Sequence, residues 1–391
     1  MTTTKIPNDL IENVQRFVRA RQGEIEDRIK KIVELESPSG DERGSREVVA
    51  ELAKAAVELS CVDSVDRADV PGFGQHLVVR AFSKGRDTQI LSVGHTDTVH
   101  SRGSLDERPW RRDVSRIYGP GIFDMKANCV LALEVLLALE SLKITPSHSL
   151  TLVLTCDEEV GSASGWPFIE SIARERSTRC ALVFEPPAPG GKVKTGRKGT
   201  GIYEIKVAGK ASHAGLEPEK GASAVLELAR QIERLHSLNK AGSGITVNVG
   251  VVRGGTRSNV VAAEAEGEID VRFSTENEAR EIERLFSSLE PVDDRTKIFI
   301  SGGINRPPLE RTTEVINLFK LARQVAAALG FELGETQVGG ASDGNFIAGL
   351  GIPVLDGLGI MGDGAHAIHE HIDAADIPRR AALIAGILLS L

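Results

Sequence analysis

The chain has 391 residues, 41% hydrophobic and 26% charged, enough to bury a sizeable core over two domains. With 47 Lys+Arg against 55 Asp+Glu the net charge is −8, and only 4% of residues are aromatic. Nucleic-acid binding wants a cationic footprint and stacking rings, so it is excluded as an expectation. Apolar runs such as 381–391 are too short to span a bilayer, and residues 1–17 mix Lys5, Asp9, Glu12 and Arg16 without the apolar core of a secretory signal. Cys61, Cys129, Cys156 and Cys180 show no paired spacing and read as reduced core residues. A cytoplasmic protein with no membrane partner is expected.

Along the chain, apolar positions from Asn8 to Ser37 recur at helical spacing, predicting one or two helices, and 46–59 predicts another. Strand-like runs follow at 76–81 and 89–93, the second ending at Gly94-His95-Thr96-Asp97. Residues 129–142 form a strongly apolar helix, and 149–155 a buried strand running into Asp157-Glu158-Glu159. After a further helix, the short strand 181–184 ends at Glu185. Strands alternating with helices predict an α/β sheet covered on both faces.

Beyond Gly199 the rhythm changes to strand 202–207, helix 222–238, strands 245–252 and 266–273, helix 276–289 and strand 297–300. That β-α-β-β-α-β order is the mark of a ferredoxin-like sandwich. Helices at 315–329 and 377–391 around a strand at 352–355 then complete the first domain. The expected domains are therefore 1–198 with 309–391, and an inserted 199–308.

Four polar clusters stand where apolar strands stop: His95/Asp97, Glu158/Glu159, Glu185, and His366 after Leu355. Asp124 joins them from the Gly-rich turn 119–124. Ligands of open α/β sheets bind beyond the carboxyl ends of the strands, so distant residues would converge there. Imidazoles with several carboxylates suit zinc, and the count of carboxylates suits two ions sharing a bridge. Singly, each cluster has a plainer reading: His95 as a turn residue, Glu158-Glu159 as a solvated helix start. Jointly, ends of different strands in one sheet favour the metal site.

Gly94-His-Thr-Asp-Thr-Val99, Gly119-Pro-Gly-Ile-Phe-Asp-Met-Lys126, Thr155-Cys-Asp-Glu-Glu-Val-Gly-Ser162 and Phe184-Glu-Pro186 follow one another in order. Gly209-Lys-Ala-Ser-His-Ala-Gly215, Arg253-Gly-Gly, Ser258-Asn259 and Gly364-Ala-His-Ala-Ile-His-Glu370 continue the series. Over about residues 30–390 the chain resembles M20-family metallopeptidases, most nearly their glutamate-carboxypeptidase branch. The resemblance implies an α/β, mixed-sheet zinc-exopeptidase catalytic domain carrying an inserted ferredoxin-like lid and dimerisation domain. It implies two Zn2+ per subunit, one held by His95, Asp124 and Glu185, the other by Glu159, His366 and again Asp124. Cobalt or manganese suits the same ligands. Asp97 would orient His95, and Glu158 would be the general base acting on a metal-bridging water.

From the inserted domain, the resemblance places His213 in the partner subunit's cleft as an oxyanion donor, implying a homodimer. Asn259 and Arg272 match substrate-binding positions, although a cross-strand ion pair is the other reading of Arg272. Lys192, Lys194, Arg197 and Lys198 read either as a solvated hinge or as a positive wall for an acidic leaving residue, with Lys194 and Arg197 as substrate contacts. Their register against the family is open. The 339–343 loop resembles a turn that lines the cleft with backbone amides, Ala127 stands where glycine is usual, and Arg306 has no assigned role. The implied activity is a carboxypeptidase releasing a C-terminal residue, glutamate favoured, from a small peptide or N-acyl amino acid. An N-acyl-amino-acid deacylase is the alternative within the same chemistry. A non-catalytic binding protein is the reading from another class, and it predicts a missing ligand or base, which the sequence does not show.

Overall fold

A computed structural model describes residues 8–240 and 242–391; residues 1–7 of the segment read above for a signal lie outside the described residues. The chain divides into two compact units, one of residues 1–195, 311–337 and 342–391, the other of 196–310 and 338–341.

The first unit is built on a six-stranded mixed sheet. Its order is Val62–Val70, Gly74–Ala81, Ser149–Thr155, Thr88–His95, Ser177–Val183 and Val354–Leu355. The last four run parallel, and the first two pair antiparallel at one edge. All seven residues of Ser149–Thr155 are buried, as a strand covered on both faces must be. That is why its sequence is a continuous apolar run rather than an alternating one. The strand Val62–Val70 escaped the pattern reading because it is an edge strand carrying Asp63, Asp66, Arg67 and Asp69.

Helices Ala127–Ser141 and Ile377–Ser390 are buried nearly all round, so both lack a polar stripe. The N-terminal stretch forms two helices, Asn8–Ala20 and Gln22–Glu34, each burying one apolar edge. Ala127 opens the apolar helix fully buried, so its methyl is accommodated where glycine is usual. The short helix Asp343–Gly349 was not predicted: it is set by a capping box of Ser342 and Asn345 rather than by periodicity.

The second unit is a four-stranded antiparallel sheet ordered Thr246–Gly254, Glu264–Phe273, Gly199–Ala208, Lys297–Arg306. Numbered along the chain that order is 2-3-1-4, the ferredoxin-like arrangement expected from sequence. Helices Ala224–His236 and Glu276–Ser287 bury Leu228, Leu235, Ile282 and Phe286 against its inner face, with Tyr203 stacked on Phe286 at 4.2 Å between centroids. Thr275 and Glu278 form a reciprocal cap at the start of the second helix.

Candidate metal centre

The strands Thr88–His95, Ser149–Thr155 and Ser177–Val183 run the same way, so their carboxyl ends share one edge of the sheet. His95 is the last residue of its strand. Glu158 and Glu159 open a single helical turn just past Thr155, and Glu185 lies just past Val183. Asp124 sits in the turn before the apolar helix. That turn needs Gly121, whose φ is +69° and where a Cβ would fall 2.4 Å from Thr98 Cγ2. Gly94 is required by crowding instead: a Cβ there would meet Met125 Cε at 2.3 Å. His366 arrives on a C-terminal loop with φ +63°, a left-handed backbone that non-glycine residues adopt at a cost of about 1–2 kcal/mol.

These five side chains gather into two groups. His95 Nε2 lies 3.2 Å from Asp124 Oδ1 and 3.4 Å from Glu185 Oε1. His366 Nε2 lies 3.2 Å from Glu159 Oε2 and 3.4 Å from Asp124 Oδ2. Within each group the ligand atoms all lie within 4.8 Å of one another. Asp124 therefore gives one oxygen to each side, the disposition of a bridging carboxylate.

The donor chemistry fits cations. Burial pushes the His95 imidazolium down, yet Asp124, Asp97 and Glu185 together hold its pKa well above the ordinary value. Asp124 and Glu159 raise that of His366 to about 10. Both rings thus sit where the carboxylates demand positive charge on Nε2: a proton, or a metal in its place. Burial pushes the Glu159 carboxyl up despite His366, and its buried Oε1 has no hydrogen-bond partner among the described residues. Coordination to a cation would satisfy an orphaned carboxylate oxygen of this kind. Zinc, or a similar borderline divalent ion, suits two imidazoles among carboxylates.

Asp97 does more than the sequence suggested. The nearest acceptor to His95 Nδ1 is the Asp97 main-chain oxygen at 3.0 Å, with the carboxylate Oδ1 at 3.4 Å. Since those atoms only accept, Nδ1 carries a hydrogen and Nε2 is left to face the ligand carboxylates. The Asp97 carboxylate also accepts from the amides of Glu158 and Glu159, both at 3.2 Å, and from Ser39 Oγ at 2.7 Å. One buried acid thus fixes the ring of His95 and the turn that carries Glu158. Glu158 itself is half-buried beside Glu159. Ser39 and Cys129, whose thiol approaches the His95 carbonyl at 3.1 Å, were not foreseen. The Pro38-Ser39-Gly40 turn signal hinted at the first, and nothing in the sequence marked the second.

The other predicted residues fall in different places. Lys194 belongs to the first unit and is 9% exposed, its main chain paired in both directions with Asp356. Arg197, in the second unit, is also buried, and its Nη1 donates to the carbonyls of Gly340 and Ala341. The solvated-hinge reading therefore fails for these two, because a solvated hinge would leave them in water. It holds for Lys192, which is exposed. Toward Arg197 the 339–341 loop presents the carbonyls of Gly340 and Ala341.

His213 and Asn259 are exposed neighbours in the second unit, joined by a hydrogen bond from the Ala214 amide to the Asn259 carbonyl. His213 Nδ1 accepts from the amides of Gly215 and Leu216, each at 3.2 Å. In the neutral ring the hydrogen is then on Nε2, making that atom a donor. Arg272 is ion-paired, but with Asp270 two residues back on its own strand rather than across it, through two 2.8 Å contacts. Alternate residues of a strand share a face, which explains the pairing.

Comparison with known proteins places the chain in a family and a fold. The profile of peptidase family M20/M25/M40 matches residues 91–390. Carboxypeptidase G2 from Pseudomonas sp. is 28% identical over 373 residues, covering 93% of this chain and 88% of its own. Succinyl-diaminopimelate desuccinylase from Delftia acidovorans is 29% identical over 371 residues, covering 89% and 93%. Among solved structures, an aminopeptidase PepT from Bacillus cereus superposes with a TM-score of 0.76 at 23% identity, covering 94% of this chain and 98% of that one. A dinuclear metal-binding M20 peptidase from Bacillus subtilis gives 0.71 at 14% identity, covering 95% and 98%. At those identities the two structures speak for the shared fold alone.

Proposed function

The chain belongs to peptidase family M20/M25/M40, and on that premise we propose that it is a two-metal carboxypeptidase that releases a C-terminal amino acid, glutamate favoured. The family makes it a metal-dependent hydrolase; the number of ions, the residue roles and the leaving group are our reading. The observation that carries this reading is the pair of three-ligand groups sharing Asp124, with Glu158 adjacent to ligand Glu159. His95, Asp124 and Glu185 would hold one divalent ion, and Asp124, Glu159 and His366 the other, zinc being the favoured metal. Such ions supply Lewis acidity and bring a shared water's pKa near neutrality.

Around that chemistry the protein's own groups divide the labour. Glu158 takes the water's proton and hands it to the departing amine, so that a neutral amine leaves rather than an amide anion. Asp97 holds the Glu158 amide and the His95 ring, which fixes base and ligand relative to one another. His213 Nε2–H is our donor to the developing oxyanion, in the cleft of a second copy. Asn259 and Arg272 are proposed to bind substrate polar groups. Arg272 does so with part of its guanidinium already engaged by Asp270.

A homodimer is part of this proposal. Thr246–Gly254 is an edge strand with Val251 and Val252 exposed, and Val225 and Leu226 are exposed on the neighbouring helix. The intact chain is expected to sediment as a dimer. His213→Ala should lower turnover while metal content stays at wild-type level. A monomer of full activity would remove both the dimer and the role of His213.

Glutamate is favoured by four cationic residues within 192–198, two of them buried, and by the likeness to carboxypeptidase G2. The desuccinylase relatives support the second reading, an N-acyl-amino-acid deacylase. A leaving-residue scan separates them: one acyl group joined to Glu, Asp, Ala, Leu, Arg and ornithine, with released amine measured. Glutamate is expected to lead by at least tenfold in kcat/KM, about 1.4 kcal/mol of transition-state discrimination. A lead for ornithine or arginine would overturn the glutamate preference and favour the deacylase. The substrate proposed is a small peptide or N-acyl amino acid, in keeping with the carboxypeptidase and desuccinylase relatives, and no described helix is long and apolar enough to cross a membrane.

A further inference from the structure

Glu370 closes the same sequence motif that supplies His366, yet no part of the chemistry above uses it. It is 3% exposed, and each of its carboxylate oxygens is engaged. Oε1 accepts from the amides of Phe123 at 2.9 Å and Asp124 at 3.0 Å. Oε2 accepts from the Gly121 amide at 2.7 Å and from His100 Nε2 at 2.6 Å. The ring of His100 is buried too, and Arg108 points Nη1 and Nη2 at its Nδ1 from 3.4 Å. With donors at Nδ1, the neutral ring keeps its hydrogen on Nε2 and donates it to Glu370.

Resting on the two-cation reading above, we propose that Glu370 is a positioning residue for both metal sites. Three of its four bonds go to the turn that carries Asp124, one of them to the Asp124 amide itself. The 364–370 loop that carries His366 is closed by bonds from the Ala367 amide to the Gly364 carbonyl and from the Glu370 amide to the Ala367 carbonyl. The strand His371–Asp373, which Glu370 directly precedes, pairs with Arg116–Tyr118, which leads into that turn. A single buried carboxylate thus sets the shared ligand and the C-terminal ligand in one frame. Charged acceptors form the stronger kind of hydrogen bond, and here they satisfy three amides of an irregular turn that no strand or helix satisfies.

Glutamine at 370 keeps the shape but not the function. Its oxygen accepts from Phe123 and Asp124, while its NH2 faces the Gly121 N–H and the His100 N–H, donor against donor. The turn must then shift, and the Asp124 oxygens with it. Loss of a partner that orients a metal ligand typically weakens metal affinity about 10–100-fold.

The test titrates Co2+ into metal-free protein and follows its visible absorption for wild type, Glu370→Gln and Glu134→Gln. Glu134 is an equally buried carboxylate held by Arg28 at 2.7 Å, and serves as the control for general loosening. Wild type is expected to bind two ions. Glu370→Gln should bind about 10–100-fold more weakly with an altered spectrum. Glu134→Gln should melt earlier and keep the wild-type isotherm. If Glu370→Gln does not fold, His100→Ala, which removes one of the four donors, should weaken binding in the same sense. Wild-type binding by Glu370→Gln, or by His100→Ala in its stead, overturns the proposal, as does an equal shift in Glu134→Gln. Wild type that takes up no second ion removes the two-cation reading and this inference together, a result distinct from the failure of Glu370 alone.

Discussion

Glu158→Ala should retain both metals and lose about 10²–10⁴ in turnover, the usual contribution of a placed proton-transfer group. That range corresponds to about 2.7–5.5 kcal/mol of barrier. The residue is separable from the ligand set because its neighbour Glu159, not Glu158, supplies the oxygen near His366. The Glu158 backbone is held independently, by its amide on Asp97, so truncating the side chain leaves the turn in place. Metal content measured beside kcat decides the role. Retained metal with collapsed kcat is the expected result. Full turnover would remove Glu158 from proton transfer, and loss of metal would reassign it as a ligand.

Asp124→Ala should strip both sites at once, since each group of ligands contains one of its oxygens. Loss of the several kcal/mol that Lewis-acid stabilisation supplies lowers turnover roughly a thousandfold or more. The variant should also lose the rise in melting temperature that excess Zn2+ gives wild type. A ligand at a thousandfold its Kd stabilises the native state by about 4 kcal/mol. In wild type, reloading the metal-free protein at pH 7 should release protons. The His366 pKa lies at about 10 without metal, so its ring is protonated at neutral pH, while a metal needs the neutral ring. Proton competition weakens as pH rises toward 10, so apparent affinity should rise over that range. One full-affinity site surviving in Asp124→Ala would show that the carboxylate does not bridge.

The candidate ligands were legible as polar clusters because each ends an apolar strand or follows a glycine turn, and the family resemblance assigned them to two sites. His95, Glu158, Glu159 and Glu185 stand within four residues of strand ends that the apolar pattern located to within two residues. Legibility fell where charge overrode pattern. The edge strand Val62–Val70 looks like a loop because its outward positions are acids and arginine. Lys194 and Arg197 look solvated by type, yet they lie buried.

By itself the sequence determined the α/β frame and the ferredoxin-like order of the second unit, because hydrophobic periodicity and strand ends are local properties of the chain, and its motifs marked five candidate ligand positions through their resemblance to the family. Tertiary structure alone decided which atoms meet. It gave the two oxygens of Asp124 to different groups and turned the Asp97 carboxylate toward the amides of Glu158 and Glu159. It gathered three amides of the 121–124 turn onto Glu370. Hydrogen-bond partners separated by some 60 to 250 positions carry no periodic trace. They exist only once burial removes water as the competing partner and every polar group must find another.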